Sequence, residues 1–302
     1  MIFKSIRSSW LYSQFIRIIR ATLQSHLSLG IKNYLHFRGW FTTTVLGSKI
    51  ELFNFNTELE TSLFWKNSFT EVEPSLVAFT ALSRIATHIL DVGANTGVFA
   101  IAAASSNDKV KIFAIEPNYS NFMALKANVK RNALPVICLN VAATSDNKLV
   151  TLYDFPTEIS YSASLEQEFR DGQGTLPNTV CGIKLDQLFT NYDSGGLILA
   201  KIDVESHEAE VVRGMSVALE ENHQEIILLI EIIRNSVAQE LERLLPPEKF
   251  AYLQLHEDSR KLIQTARMTV FGEGMNYLVV SHNALTKLIA PLKAVSIVTS
   301  LR

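Results

Sequence analysis

The stretch His88-Ile89-Leu90-Asp91-Val92-Gly93-Ala94-Asn95-Thr96-Gly97-Val98-Phe99 decides the fold. Ile89, Leu90 and Val92 suit a buried central strand, which ends in an acid. Gly93 and Gly97 then allow a sharp turn and a close backbone approach to a ligand. The helix that follows presents free N–H groups at its first turn. Open α/β sheets hold nucleotide-like ligands where a strand runs into such a turn. The chemistry is therefore expected at the carboxyl end of a sheet, around residues 91–97.

The spacing separates two ligand classes. A dinucleotide site wants G-x-G-x-x-G so that pyrophosphate can sit on the helix N-terminus. Here Asn95 stands at the second glycine position and Val98 at the third. A strand-end carboxylate such as Asp91 would repel pyrophosphate but accept from an ammonium. The pattern Asp91-x-Gly93-x-Asn95-x-Gly97 thus suits S-adenosylmethionine, which carries an ammonium and a sulfonium and no phosphate. A second apolar run, Lys111 to Ile115, ends in Glu116 about 20 residues further on, where an acid can hold both ribose hydroxyls. Pro117 stops that strand, and Asn118 can cap a helix over about 119–131. Asn118 joins Asp91, Gly93, Asn95, Gly97 and Glu116 as the candidate cofactor-binding set.

Outward from this centre the chain alternates. Strands are expected around 88–92, 110–116, 135–141, 197–204 and 225–232, with helices between them. Such alternation argues for a parallel sheet covered on both faces. Residues 250–255 and 275–280 read as a closing antiparallel pair. Residues 142–196 loosen into a loop-rich insertion, a class of segment that is commonly functional. Its hydroxyl-rich run, Ser160 to Ser164, could serve an acceptor. Upstream, residues 1–36 read as helical with a break near Gly30, and 40–56 as a hairpin about Gly47. The expected organisation is an N-terminal helical and hairpin extension over 1–70, a catalytic domain over 71–283, and a tail over 284–302 without an assigned structure.

At 302 residues the chain can bury one large core with an extension, and 47% apolar with 19% charged residues is ordinary for a globular protein. A net charge of −2 gives no global field to recruit nucleic acid. Cys138 and Cys181 cannot form a disulfide framework, and Cys138 lies in an apolar, core-like run. No run of about 20 apolar residues offers a spanning helix. Arg7, Arg17 and Arg20 interrupt any secretory signal. A reducing, cytoplasmic location is expected. Charge is nevertheless uneven: residues 1–50 hold Lys4, Arg7, Arg17, Arg20, Lys32, Arg38 and Lys49 and no acid. Trp10, Leu11, Phe15, Ile18, Ile19 and Leu23 recur beside those bases at helical spacing. This reads as a helical cap with a solvated basic face, or as a peripheral contact with an anionic membrane.

The densest ionisable cluster is Lys201-Ile202-Asp203-Val204-Glu205-Ser206-His207-Glu208, again after an apolar strand. Asp203 falls on the same rim as Asp91 and Glu116, where a methyl acceptor would meet the sulfonium. Methyl transfer to an alcohol needs in-line alignment and removal of the hydroxyl proton. Lys201, Asp203, Glu205 and His207 are the candidate catalytic residues, with Asp203 orienting or deprotonating the acceptor. Glu208 and Glu210 equally suit a helix N-terminus. Glu231 ends the next strand on the same rim and is a candidate acceptor-binding carboxylate; His256 and Asn276 are weaker candidates. These acids lack the compact spacing of a metal site, and no metal is expected.

Taken together, these segments resemble the FkbM-type family of S-adenosylmethionine-dependent methyltransferases. The resemblance rests on Asp91 to Gly97, Ala114 to Asn118, Lys201 to Glu208 and Leu229 to Ile232, with Ile183 to Leu188 and Asn276 to Leu278 in support, and spans about residues 70–282. It implies a Rossmann-like class I methyltransferase sheet of seven strands, mostly parallel, with an antiparallel strand near the edge. It also implies O-methylation of a hydroxyl on a sugar, glycan or secondary metabolite, and so a small-molecule or glycan acceptor. Ser206 departs from the pattern, which usually has glycine there. Two rivals are an N-methyltransferase and a non-catalytic, membrane-associated module that keeps the fold. A nucleic-acid partner is not expected, since no N-P-P-Y-type tetrapeptide or basic stripe adjoins the site.

Overall fold

The computed structural model describes residues 10–23, 37–66, 73–154, 176–189, 196–220, 225–271 and 275–300, with isolated placements at 26, 35, 164 and 165. The break near Gly30 and residues 160–163 lie outside them. In chain order, helix α1 (Trp10–Leu23) precedes the hairpin β1 (Gly39–Val45) and β2 (Ser48–Asn54), then α2 (Glu58–Lys66) and α3 (Pro74–Ser83). The body continues as β3 (His88–Val92), α4 (Val98–Ser106), β4 (Lys111–Ile115), α5 (Tyr119–Asn132) and β5 (Val136–Leu139). The insertion supplies β6 (Ala142–Ala143), β7 (Leu149–Asp154) and β8 (Leu176–Ile183). Then come β9 (Leu197–Ile202), α6 (Glu208–Arg213), α7 (Ser216–Glu220), β10 (Glu225–Ile232), α8 (Asn235–Leu244), β11 (Phe250–His256), β12 (Lys261–Thr265), β13 (Met275–Ser281), α9 (Leu285–Ala294) and β14 (Val298–Ser300).

The central sheet runs β14-β12-β11-β13-β10-β9-β3-β4-β5. Strands β5, β4, β3, β9 and β10 pair in parallel, and β13 lies antiparallel between β10 and β11. From β5 to β11 this is the expected Rossmann-like order of seven strands. The sheet is wider than expected: β12 extends it from β11, and β14, drawn from the unassigned tail, closes the edge in parallel with β12. Along each strand alternate residues face opposite cores. Ile89, Leu199 and Leu229 enter one; Leu90, Ala200 and Ile230 enter the other. Cys138 is half-buried on edge strand β5 rather than a full core residue.

Two local differences from the sequence reading have clear causes. The helix expected after β9 is broken into α6 and α7 at Gly214, where an added Cβ would lie 2.3 Å from the Thr144 carbonyl. The Asp186 carboxylate caps the second piece, accepting from the Val217 and Ala218 N–H groups at 3.0 and 3.2 Å. The N-terminal extension shares its apolar core with the rest of the chain. Phe37, Phe41, Val45, Leu52 and Phe64 belong to the same apolar core as α4 and one sheet face. The hairpin closes as expected at Leu46-Gly47 and is fixed to α5 by side chains. Asn128 and Asn132 accept the Phe53 and Glu51 N–H groups at 2.9 and 2.8 Å. Nor is the basic face of α1 simply solvated. Arg17 and Arg20 turn toward the hairpin, donating to the Trp40 and Thr42 carbonyls at 2.6 and 3.4 Å.

Candidate active site

The cofactor end is built from β3, β4 and the turns after them. Gly93 lies at φ +76, and a Cβ there would stand 1.8 Å from the Asp203 carbonyl oxygen. Gly97 lies at φ +89 and faces Leu125 at 2.4 Å. These glycines therefore let protein meet protein. Gly93 still lines the cleft, whereas Gly97 does not and seats α4 against α5. Asn95 adopts a left-handed φ of 49, and its N–H points at Glu116.

Glu116 is the best-held side chain of the site. Its Oε2 accepts from the Asn95 N–H and its Oε1 from the Asn118 N–H, both at 2.8 Å. Burial pushes its carboxyl up to about 7 against these hydrogen bonds. Asn118 caps α5, accepting from the Asn121 N–H at 3.0 Å, and its amide donates to Asp154. It supports the wall from behind instead of lining it.

Asp91 departs from its expected place. It lies one residue before the end of β3, is fully buried, and does not line the cleft. Its Oδ2 accepts from the Ala100 N–H at 2.8 Å, so it supplies the N-terminal cap that Gly97 cannot. Its Oδ1 has no hydrogen bond and lies 4.0 Å from the Lys201 ammonium, directly across the parallel pair. Direct reception of a ligand ammonium by Asp91 is thus replaced by an internal role, because strand alternation turns the side chain inward beneath the turn.

Lys201 joins the two ends of the site. Its ammonium donates to Asp203 Oδ2 at 3.0 Å and to the Gly93 carbonyl at 3.4 Å, and sits 4.7 Å from the centre of the Phe99 ring. Burial alone would lower its pKa, but the Asp203 and Asp91 charges more than offset this and hold it above the ordinary value. Asp203 follows the last residue of β9, its N–H tied to the Val92 carbonyl at 3.1 Å.

The cleft between these groups has a volume of about 580 Å³, within the range of about 300–1,000 Å³ usual for small-molecule sites. Its walls bring together Gly93, Asn95, Glu116, Lys201, Asp203, Glu205, His207 and Glu231. His207 Nε2 lies 3.5 Å from the Thr144 hydroxyl. Glu208 is not in the wall: it turns back under its own loop, its Oε1 accepting from the Ser206 and Val204 N–H groups at 3.0 and 3.3 Å. Glu205 and Ser206 occupy left-handed φ values of 56 and 80. Ser206 thus stands in a conformation that glycine adopts without strain.

Glu231 faces Asn276 across the β10–β13 pair, and both line the cleft. The Asp203 charge, burial and the Glu205 and Glu73 charges raise the Glu231 carboxyl to about 8, against the pull of Lys201. Sequence reasoning missed two nearby acids. Glu73, on the cleft wall at the start of α3, accepts from the Ser75 hydroxyl at 2.8 Å and is raised chiefly by burial. Glu257, just past β11, accepts from the Asn276 amide at 3.1 Å and is raised to about 7 by burial and by Glu73. Neither ends a strand of the parallel core, so no local pattern marked them. Thr57, just before α2, and Ser62 and Lys66 within it also line the cleft, which brings the extension into the site. His256, a weaker candidate, is not in the cleft wall. Among the described residues, no group of His, Cys, Asp or Glu is arranged to hold a metal ion.

Comparison with known proteins gives the family. The Methyltransferase FkbM domain matches residues 91–264, and the chain belongs to that family. S-adenosylmethionine is its cofactor, and the site fits it: a paired acceptor for vicinal hydroxyls at Glu116, a surplus of carboxylates for a cationic ligand, and sufficient volume. A curated relative is the hexuronic acid methyltransferase AglP of Haloferax volcanii, 28% identical over 161 residues, covering 53% of this chain and 62% of that protein. Among solved structures, a SAM-dependent methyltransferase from Agrobacterium tumefaciens is 10% identical with a TM-score of 0.43, covering 82% of this chain and 71% of the other. TYW2 of M. jannaschii, in complex with AdoMet, is 12% identical with a TM-score of 0.39, covering 82% and 86%.

Proposed function

We propose that this protein transfers a methyl group from S-adenosylmethionine to a hydroxyl of a sugar or glycan. The observation that carries the reading is the Glu116 carboxylate, anchored by two backbone N–H groups on the wall of the cleft that Asp203 and Glu231 also line. The bound cofactor supplies an electrophilic methyl and leaves as a neutral thioether. Glu116 holds the two ribose hydroxyls, and the Gly93–Asn95 backbone shapes the wall beside them. Asp203, fixed by Lys201, orients the acceptor and the amino-acid end of the cofactor, while Asp91 positions Lys201 from behind.

Asp203 was the expected proton acceptor, but its Oδ2 is engaged by the Lys201 ammonium. Glu231, with a carboxyl near 8, is better matched to take the hydroxyl proton as the new C–O bond forms. Glu205 and His207 border the acceptor space. The same carboxylates weigh against the N-methyltransferase rival. They would stabilise an amine as ammonium, which has no lone pair for attack. Hydroxyl-rich acceptors instead gain hydrogen bonds from Glu73, Glu231 and Asn276. AglP, named for a hexuronic acid, is in keeping with a carbohydrate acceptor.

The test is transfer of isotope-labelled methyl from S-adenosylmethionine to a panel of sugars and glycans, with mass analysis of the product. A gain of one methyl group at oxygen supports the reading. Transfer only to nitrogen, or cofactor binding in calorimetry with no transfer to any hydroxyl, would overturn it. Absence of cofactor binding would favour the non-catalytic module.

A further inference from the structure

The turn between β3 and α4 brings Gly93, Asn95 and Thr96 to the cleft wall, and its backbone is tied down from two sides. The near side is β4. The Gly93 and Ala94 N–H groups both donate to the Ile115 carbonyl at 3.0 Å, and the Asn95 N–H donates to Glu116. The far side is Thr96, which stands between Asn95, at a left-handed φ of 49, and Gly97, the left-handed residue that opens α4. A left-handed residue other than glycine persists where its surroundings over-determine it.

Two fully buried polar side chains reach Thr96, and each also binds the backbone of the N-terminal extension. Asn128, on α5, donates its amide to the Thr96 carbonyl at 2.9 Å, and its oxygen accepts from the Phe53 N–H of β2 at 2.9 Å. One amide group thus joins the turn to the hairpin through both of its polar ends. Glu60, in the first turn of α2, accepts from the Phe55 N–H at 2.6 Å through Oε2, and its own N–H donates to the Thr57 hydroxyl at 3.1 Å. Its Oε1 has no hydrogen bond of normal geometry. Burial raises the carboxyl to about 7, against the Thr96 hydroxyl and the Phe55 N–H, which favour the charged form. Apolar side chains would join a hairpin to a helix without the desolvation cost of a buried carboxyl and amide. Directional polar contacts add what apolar packing cannot, a fixed orientation for one peptide group.

We infer that Asn128 and Glu60 are positioning residues for the cofactor: through them the hairpin and α2 hold Thr96, and with it the Asn95 backbone, in the geometry that the cofactor meets. The inference rests on the reading that the turn at 93–97 and Glu116 receive S-adenosylmethionine. Neither Asn128 nor Glu60 lines the cleft, so both act through Thr96 and not on the ligand. The extension is then part of the cofactor-binding apparatus as well as a wall of the cleft.

The experiment is calorimetric titration of the full chain with S-adenosylmethionine, beside thermal unfolding of each variant. Glu60→Leu and Asn128→Leu should each raise the cofactor Kd about tenfold. Glu60→Gln keeps an acceptor for the Phe55 N–H and a polar group toward Thr96, and should stay within about twofold of the native Kd. Lost folding alone would lower the number of binding sites per chain at an unchanged Kd, and would not be rescued selectively by glutamine. Either leucine variant carries the test if the other does not fold, and Asn128→Ser, too short to reach Thr96, replaces both. A native Kd in the folded variants, or a lowered stoichiometry at native Kd, would overturn the inference. Glu116→Ala is the control for the reading beneath it. A native Kd in that variant would remove the turn as the place of the cofactor, and the inference with it.

Discussion

The two ends of the cleft are built differently. The end proposed for the cofactor comes from one continuous segment, residues 91–118, whose strands, turns and caps are locked by hydrogen bonds to backbone N–H groups. The end proposed for the acceptor is assembled from Glu73 and α3, the loop after β9, and the ends of β10 and β13, which meet only in the folded sheet. Its carboxylates repel one another and share Lys201 as a buried cation. A cofactor common to a family can be held by a fixed local frame. An acceptor that varies within a family is better served by side chains from separate segments, each replaceable without disturbing the frame.

Glu231→Gln probes this contrast most sharply. It should lower kcat by about 10²–10⁴ while leaving the cofactor Kd within about twofold, because it removes the proposed proton acceptor alone. The native rate should rise with pH as Glu231 loses its proton and level off above about 8, and the variant should lose that limb. A parallel loss of cofactor binding would instead join the two ends into one unit.

Lys201→Met removes the link between them. Asp91 and Asp203 would keep their charge or neutralise without a partner, at a cost of about 3–5 kcal/mol read by denaturant unfolding. Glu116→Ala should act on the cofactor end alone, raising the cofactor Kd about 100-fold in calorimetry.

Buried carboxyls in and around the cleft also set a pH dependence of stability. Glu116, Glu60 and Glu208 are each raised from 4.5 to about 7 in the folded chain, chiefly by burial. The folded state therefore holds these protons more tightly than the unfolded one. Their contribution is full below the unfolded value and is lost as pH rises through about 7. The thermal midpoint of the cofactor-free chain should accordingly fall over that interval.

The smallest effect is expected at the joint between the two ends. Ser206→Gly relieves a φ of +80 and removes a buried hydroxyl that has no hydrogen-bond partner. It should stabilise the fold by about 0.5–1 kcal/mol. Destabilisation would show that the serine side chain contributes packing that outweighs its backbone strain.

The strand-and-turn reading of 88–99 and the acid at 116 were legible because each lies in one short segment with a distinct period and distinct breakers. Asp91 was legible as a residue but not as a contact. Its sequence position is compatible with facing either the cleft or the helix behind it, and the Ala100 N–H decides for the helix. Glu73 and Glu257 were illegible because an isolated acid beside a helix start or a strand end is ordinary in any surface. Helix α1 shows the same limit. Its periodicity was plain, yet which stripe faces inward depends on the hairpin carbonyls waiting for its arginines.

By itself the sequence determined the alternating α/β order, the parallel core and the family, since hydrophobic period and turn chemistry act over a few neighbouring residues. Tertiary structure alone decided which carboxylates face one another, which glycine clears protein instead of ligand, and where the tail closes the sheet. Those outcomes depend on distances between residues far apart in the chain, and burial and Coulomb energies exist only once such residues are brought together.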